Sequence, residues 1–279
     1  MEGMRRQTVW LLWALVAVYA AARVTQAFPE HFSIATIMAL HVIPAMLFAL
    51  VHGRAVYGWR GILTFTGLCL GVGFVVENVG VLTGVPFGHY HFTHLLGPML
   101  WNVPILLGMA YVGMGYVSWT LARLIVGERL VGLPLAAAFI MVAWDLSMDP
   151  TWSSLVHGWV WERGGTYFGV PVSNFLGWYA TAFVIYQLFA LCLRGRDSVD
   201  LASLPAGLWR SAVAFYAVSA AGNVFVIPPA MRSSFVTDAA GTPWSVGAIV
   251  ASTMLISVFV MGAFALIAYA RLGDRAPAR

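Results

Sequence analysis

Three carboxyls, Glu77, Asp145 and Asp149, fall in or at the ends of runs apolar enough to cross a bilayer. An ionisable group at membrane depth is costly and marks a candidate functional site. Asp145 and Asp149 are four residues apart, hence on one helical face, and Pro150 is expected to end that helix. Gly73, Gly80 and Gly84 share the face of Glu77 and would let a neighbouring helix backbone approach, so Glu77 is expected to point into a bundle. All three acids lie toward the C-terminal ends of their runs. There the helix macrodipole, burial and a second acid one turn away favour the neutral carboxyl. A carboxyl that carries its proton near neutral pH is what a general acid requires.

Polar and aromatic residues gather around these acids in two stretches, Phe74 to Pro104 and Trp144 to Trp178. The candidate catalytic set is Asp149, Asp145 and Glu77, and the candidate binding set is Tyr90, His91, Trp144, Trp161, Tyr167, Asn174, Trp178 and Asn223. For the asparagines, hydrogen bonding between helices is the plainer account, and part of the tryptophan complement belongs to an interfacial belt. His89, His91 and His94 could ligate a metal. The chain has 7 histidines in all, however, and His31, His41, His52 and His157 stand alone, too few for the clusters of a di-iron centre. No metal and no cofactor are expected. Cys69 and Cys192 show no CxxC spacing and indicate neither a disulfide framework nor a thiolate site.

The elements that must position these groups are membrane helices. Hydrophobic residues make up 61% of the 279 and charged ones 9%, against about 25% charged in a soluble domain. Mean hydropathy is +0.83. Apolar runs near the ~20 residues needed to span lie at 8–27, 33–52, 62–82, 99–122, 130–148, 174–193, 208–227 and 247–270. The expected fold is therefore all-α, a polytopic bundle of about eight transmembrane helices forming a single domain over 1–279, multi-pass in the cell membrane. All 15 basic residues are arginines, scattered singly or in pairs, which excludes a nucleic-acid face. With a cytoplasmic N-terminus, twelve fall in inner segments and only Arg23, Arg163 and Arg232 in outer ones. That asymmetry predicts both termini cytoplasmic and the acids toward the outer leaflet. The first run also fits a cleaved signal peptide, two arginines preceding an apolar core, which would leave seven helices in the same orientation.

Glu77-Asn-Val-Gly, Thr83-Gly-Val-Pro-Phe-Gly-His-Tyr-His91, Leu96-Gly-Pro98 and Asn102-Val-Pro104 resemble the first signature of the integral-membrane carotenoid hydratases of bacteria and archaea. Asp145-Leu-Ser-Met-Asp149-Pro, Trp159 and Trp161, Gly165-Thr-Tyr-Phe-Gly-Val-Pro171 and Asn174-Phe-Leu-Gly-Trp178 are similar to the second. The likeness covers about residues 70–180. At Phe92 and His94 the chain departs from the Tyr and the acid common in that family, so no catalytic role carries over to those positions.

The resemblance implies addition of water across the terminal double bond of an acyclic carotenoid end group, giving a tertiary alcohol. Protonation of the less substituted carbon makes a tertiary cation, which aromatic faces stabilise and water captures. In that scheme the Asp145/Asp149 pair donates the proton, with Asp149 as donor and Asp145 as the neighbour that keeps it protonated. Glu77 activates the water, and Asn174 and Tyr90 position it. The partners implied are a long apolar carotenoid, the lipid bilayer and other enzymes of carotenoid biosynthesis. Two alternatives stay open: an isomerase or cyclase acting through the same cation, and a proton-coupled transporter relaying protons through its carboxyls. The inner halves of the runs are uniformly apolar, without the polar or helix-breaking path of a transporter, which favours the enzyme.

Overall fold

A computed structural model describes residues 2–28, 30–194, 203–223 and 233–273. In lipid the backbone must satisfy its own hydrogen bonds, and an apolar chain does so as helices. They are α1 (Glu2–Val24), α2 (Ile34–Thr83), α3 (Ile105–Val126), α4 (Gly132–Ser154), α5 (Val172–Leu193) and α6 (Ala206–Gly222). After these, α7 (Val246–Leu255) continues through a π turn (Ile256–Met261) into α8 (Gly262–Gly273). Among the described residues 6 helices are long and apolar enough to cross a membrane, and the chain is an all-α polytopic bundle. The expected extension of the seventh run to 227, together with Arg196, Arg232, Arg275 and Arg279, lies outside the described residues.

The 50 residues of α2 contain two of the expected runs, and the break between them is Gly58. Its φ of 66° and ψ of 176° are open to glycine and strained for other residues. The two halves fold back on each other. A Cβ on Gly113 of α3 would lie 2.6 Å from that of Ala45, and one on Gly73 would lie 3.3 Å from the Tyr111 ring. Ala45 and Gly73 thus meet α3 within two residues of one another, whereas an unbroken helix would hold them about 42 Å apart at 1.5 Å per residue. Small residues of α2 do permit close approach, but beside Glu77 they admit rings and not a helix backbone. Gly80 receives Phe87 and the Tyr90 hydroxyl, and Gly84 receives the His89 ring.

At the centre stands α3, buried along most of its length, whereas α1 is largely exposed. On the rim, α1 packs on its neighbours through Leu12, Val16 and Tyr19. The fourth run starts its helix at Ile105 and not at 99 because Met99–Leu100 (β2) and Val103–Pro104 (β3) first form a tight hairpin, with Trp101 at φ 54°. Pro150 does not end α4, contrary to the expectation, and the helix continues to Ser154. Proline has no N–H to give the carbonyl four residues back. The hydroxyl of Tyr167 takes its place, donating to Leu146 O at 3.2 Å.

The sequence pattern shows only loops between α2 and α3 and between α4 and α5, but short strands join them. Tyr90–Phe92 (β1) pairs antiparallel with Trp159–Trp161 (β4), Tyr90 opposite Trp161 and Phe92 opposite Trp159. Ser173 Oγ adds a bond to Phe87 O at 2.8 Å. Arg54, four residues before the Gly58 break, and Arg194, at the C-terminal end of α5, are exposed, and so are His91 in β1 and His157 just before β4. With cysteine placed at these four positions, labelling of intact cells is expected to mark 91 and 157 and spare 54 and 194. Marking of 54 and 194 alone would invert the orientation.

Candidate active site

The pleat of β1 sends alternate side chains to opposite faces, so Tyr90 is buried while His91 is exposed. Tyr90 Oη donates to Glu77 Oε2 at 2.5 Å, and Tyr111 Oη, from the second turn of α3, donates to Glu77 Oε1 at 2.7 Å. Both oxygens of a fully buried carboxyl are thus supplied by phenols. Burial first, and then the Glu77 carboxyl, holds the Tyr90 phenol above its ordinary pKa, so it remains a donor. Tyr111 stacks on Trp178 at 4.5 Å, and Tyr90 lies 5.0 Å from Trp161, which fixes both rings.

The aspartate pair is held differently. Asp149 Oδ1 accepts from Trp159 Nε1 at 2.9 Å and from Trp161 Nε1 at 3.3 Å. Trp-Val-Trp in β4 puts both indoles on one face. Asn174, in the first turn of α5, bridges the pair, with Nδ2 donating to Asp149 Oδ2 at 2.6 Å and to Asp145 Oδ2 at 3.1 Å. Asp149 therefore receives three donors and Asp145 one, and Asp145 Oδ1 has no donor among the described residues.

One cavity of ≈ 30 Å³ joins these groups. Its walls are the three carboxyls, Asn174 and the rings of Tyr90, Phe92, Trp144, Trp159, Trp161 and Trp178, with Leu107 and Met148. A space of about 10–15 Å³ suffices for a water, so the cavity has room for one beside the acids. Among the described residues no group of three His, Cys, Asp or Glu is placed to hold a metal ion.

Of the residues singled out in the sequence, Glu77, Asp145, Asp149, Tyr90, Trp144, Trp161, Asn174 and Trp178 meet here. Three do not. His91 faces away and sits 3.0 Å from Glu162 Oε1 at the surface. Tyr167 is committed to the Leu146 carbonyl, its phenol pushed up to about 12 by burial and then by Asp149 and Asp145. Asn223 Nδ2 donates to Ser147 Oγ at 2.8 Å and Ser257 Oγ at 3.0 Å, and its Oδ1 accepts from Arg23 Nη2, so it ties α6 to its neighbours away from the cavity. Tyr111 and Trp159 belong to the site and were not among the expected residues. The two-residue spacing of Trp159 from Trp161 was a usable strand signal. Tyr111 had none, lying in mid-span with no polar neighbour in sequence.

The family of carotenoid biosynthesis proteins matches residues 33–237. Over 119 residues the chain is 33% identical to a bisanhydrobacterioruberin hydratase of Haloarcula japonica, an alignment covering 41% of this chain and 40% of that relative. No solved structure matches.

Proposed function

Since the chain belongs to the carotenoid biosynthesis protein family, we propose that its carboxyl cavity adds water across the terminal double bond of an acyclic carotenoid, reached from the bilayer of the cell membrane. The observation that carries this is the convergence of three buried carboxyls and an aromatic cup on one cavity. Alkene hydration needs a proton donor at one carbon, a base for water at the other and a surface that tolerates the cation between them. Carboxyls supply the first two, and the faces of Trp144, Trp161 and Trp178 supply the third.

The hydrogen bonds favour a division of labour. Asp149, already accepting from two indoles and an amide, is best placed as the fixed acceptor of the pair. Asp145, with one oxygen free of donors, is best placed to carry the proton and give it to the alkene. This exchanges the two roles expected from the sequence. Glu77, oriented by Tyr90 and Tyr111, takes a proton from the attacking water. The carotenoid's C–H and C–O bonds form, the π bond and one O–H bond of water are lost, and there is no net redox change.

Expression in a carotenoid-producing host, with mass spectrometry of the pigments, tests the proposal: a product heavier by one water is expected, and an unchanged pigment profile would refute it. Because hydration is redox-neutral, chelator-treated membranes kept anaerobic are expected to convert substrate at an undiminished rate. Strict dependence on iron and oxygen would replace hydration by hydroxylation.

A further inference from the structure

A second chamber, of ≈ 50 Å³, lies among α1, α2, α3 and α4. It shares Leu107, Trp144, Met148 and Trp159 with the carboxyl cavity, so the two spaces are divided by side chains alone. Three titratable side chains line it: Tyr19, whose hydroxyl donates to Ser219 Oγ at 3.2 Å, and Arg23 and His41, only 6% and 7% exposed. Arg23 and His41 have no role in the chemistry described above.

Their hydrogen-bonding states are legible. His41 Nδ1 lies 2.5 Å from the Ile37 carbonyl, which can only accept, so Nδ1 carries the hydrogen and Nε2 of the neutral ring offers a lone pair. Arg23 Nη2 donates to Ser219 O at 3.2 Å and to Asn223 Oδ1, and no carboxylate pairs with the guanidinium among the described residues. His41 Nε2 and Arg23 Nε are both buried without a partner among the described residues. Buried polar atoms are ordinarily satisfied by protein or by ordered water. Both residues line the chamber, and a donor on one with an acceptor on the other suits hydroxyl groups such as those of water, which accept from Arg23 and donate to His41. A cation would be repelled by Arg23, and an anion would meet the His41 lone pair. At ≈ 50 Å³ the chamber accommodates water, which needs about 10–15 Å³.

The reaction has a use for such a reserve. A branched hydrocarbon end group entering a cavity of ≈ 30 Å³ displaces the water there, and the nucleophile must then arrive from a side the carotenoid does not occupy. We infer that the Arg23–His41 chamber holds the water consumed in the hydration and delivers it past the flexible Met148 side chain. The inference rests on the hydration proposed above. The carboxyl proton forms the C–H bond as the π bond opens, the delivered water forms the C–O bond, and its proton returns to a carboxylate.

Two variants of the full chain, assayed in membranes in D₂O at matched protein level, test this. His41→Leu removes the acceptor, and Ala110→Val adds methyls to the chamber wall. Two quantities are read, alcohol formed and deuterium incorporated into recovered carotenoid, the latter reporting reversible protonation without water capture. In each variant alcohol formation is expected to fall about 10-fold or more, while deuterium uptake stays at or above the wild-type level. Wild-type alcohol formation in both variants overturns the inference. So does a parallel loss of alcohol and deuterium uptake, which would make the chamber a structural support of the acids. A wild-type chain that forms no alcohol refutes the hydration itself, and the water supply with it.

Discussion

Asp145→Asn is expected to lower alcohol formation by about 100-fold or more, with the protein accumulating normally. Asparagine keeps the shape of the side chain, and its carbonyl still accepts from Asn174 Nδ2, which donates to Asp145 Oδ2 at 3.1 Å in the native chain. What is lost is the carboxylic proton. Asp149→Asn is a less clean experiment. Whichever way its amide turns, an NH₂ group faces either the two indole donors on Oδ1 or the Asn174 donor on Oδ2, and leaving buried donors unmatched costs about 1–3 kcal/mol. Loss of activity with lowered accumulation is therefore expected there. The measurement is pigment composition at matched protein level, and near-normal hydration by Asp145→Asn would remove that residue as the proton donor.

Glu77→Gln is the second large effect, and its signature is qualitative. The phenol hydroxyls of Tyr90 and Tyr111 can rotate to accept as well as donate, so a glutamine amide is accommodated where they now bond Oε2 and Oε1 at 2.5 and 2.7 Å. Without a carboxylate to take the proton from water, alcohol is expected to fall about 100-fold. The proton donor remains, so the cation still forms and resolves by losing a different proton. Isomerised or rearranged carotenoids are expected to build up in place of alcohol. Loss of alcohol with no such side products would place Glu77 before cation formation, and undiminished hydration would remove it from the mechanism.

The sequence by itself determined the number and placement of the apolar runs, because twenty or so apolar residues are a local property that the bilayer reads directly. The runs at 33–52 and 62–82 fall on α2 on either side of Gly58, and those at 130–148 and 174–193 fall on α4 and α5, each starting within about two residues of its helix. Sequence also singled out Glu77, Asp145, Asp149 and Asn174, because polar groups in such runs are conspicuous against their surroundings. It could not decide which of them meet, nor what each one bonds. Tyr111 reaches Glu77 across 34 residues and Asn174 reaches Asp145 across 29, contacts set by helix packing and not by neighbours in the chain. The β1–β4 pairing turns Tyr90 inward and His91 outward, a choice that depends on strand register. Asn223 carries the same polar signal as Asn174, yet α6 delivers it to Ser147, Ser257 and Arg23, away from the acids. Pro150 reads locally as a helix stop but lies inside α4, where Tyr167, 21 residues from Leu146, supplies the donor that the proline withholds.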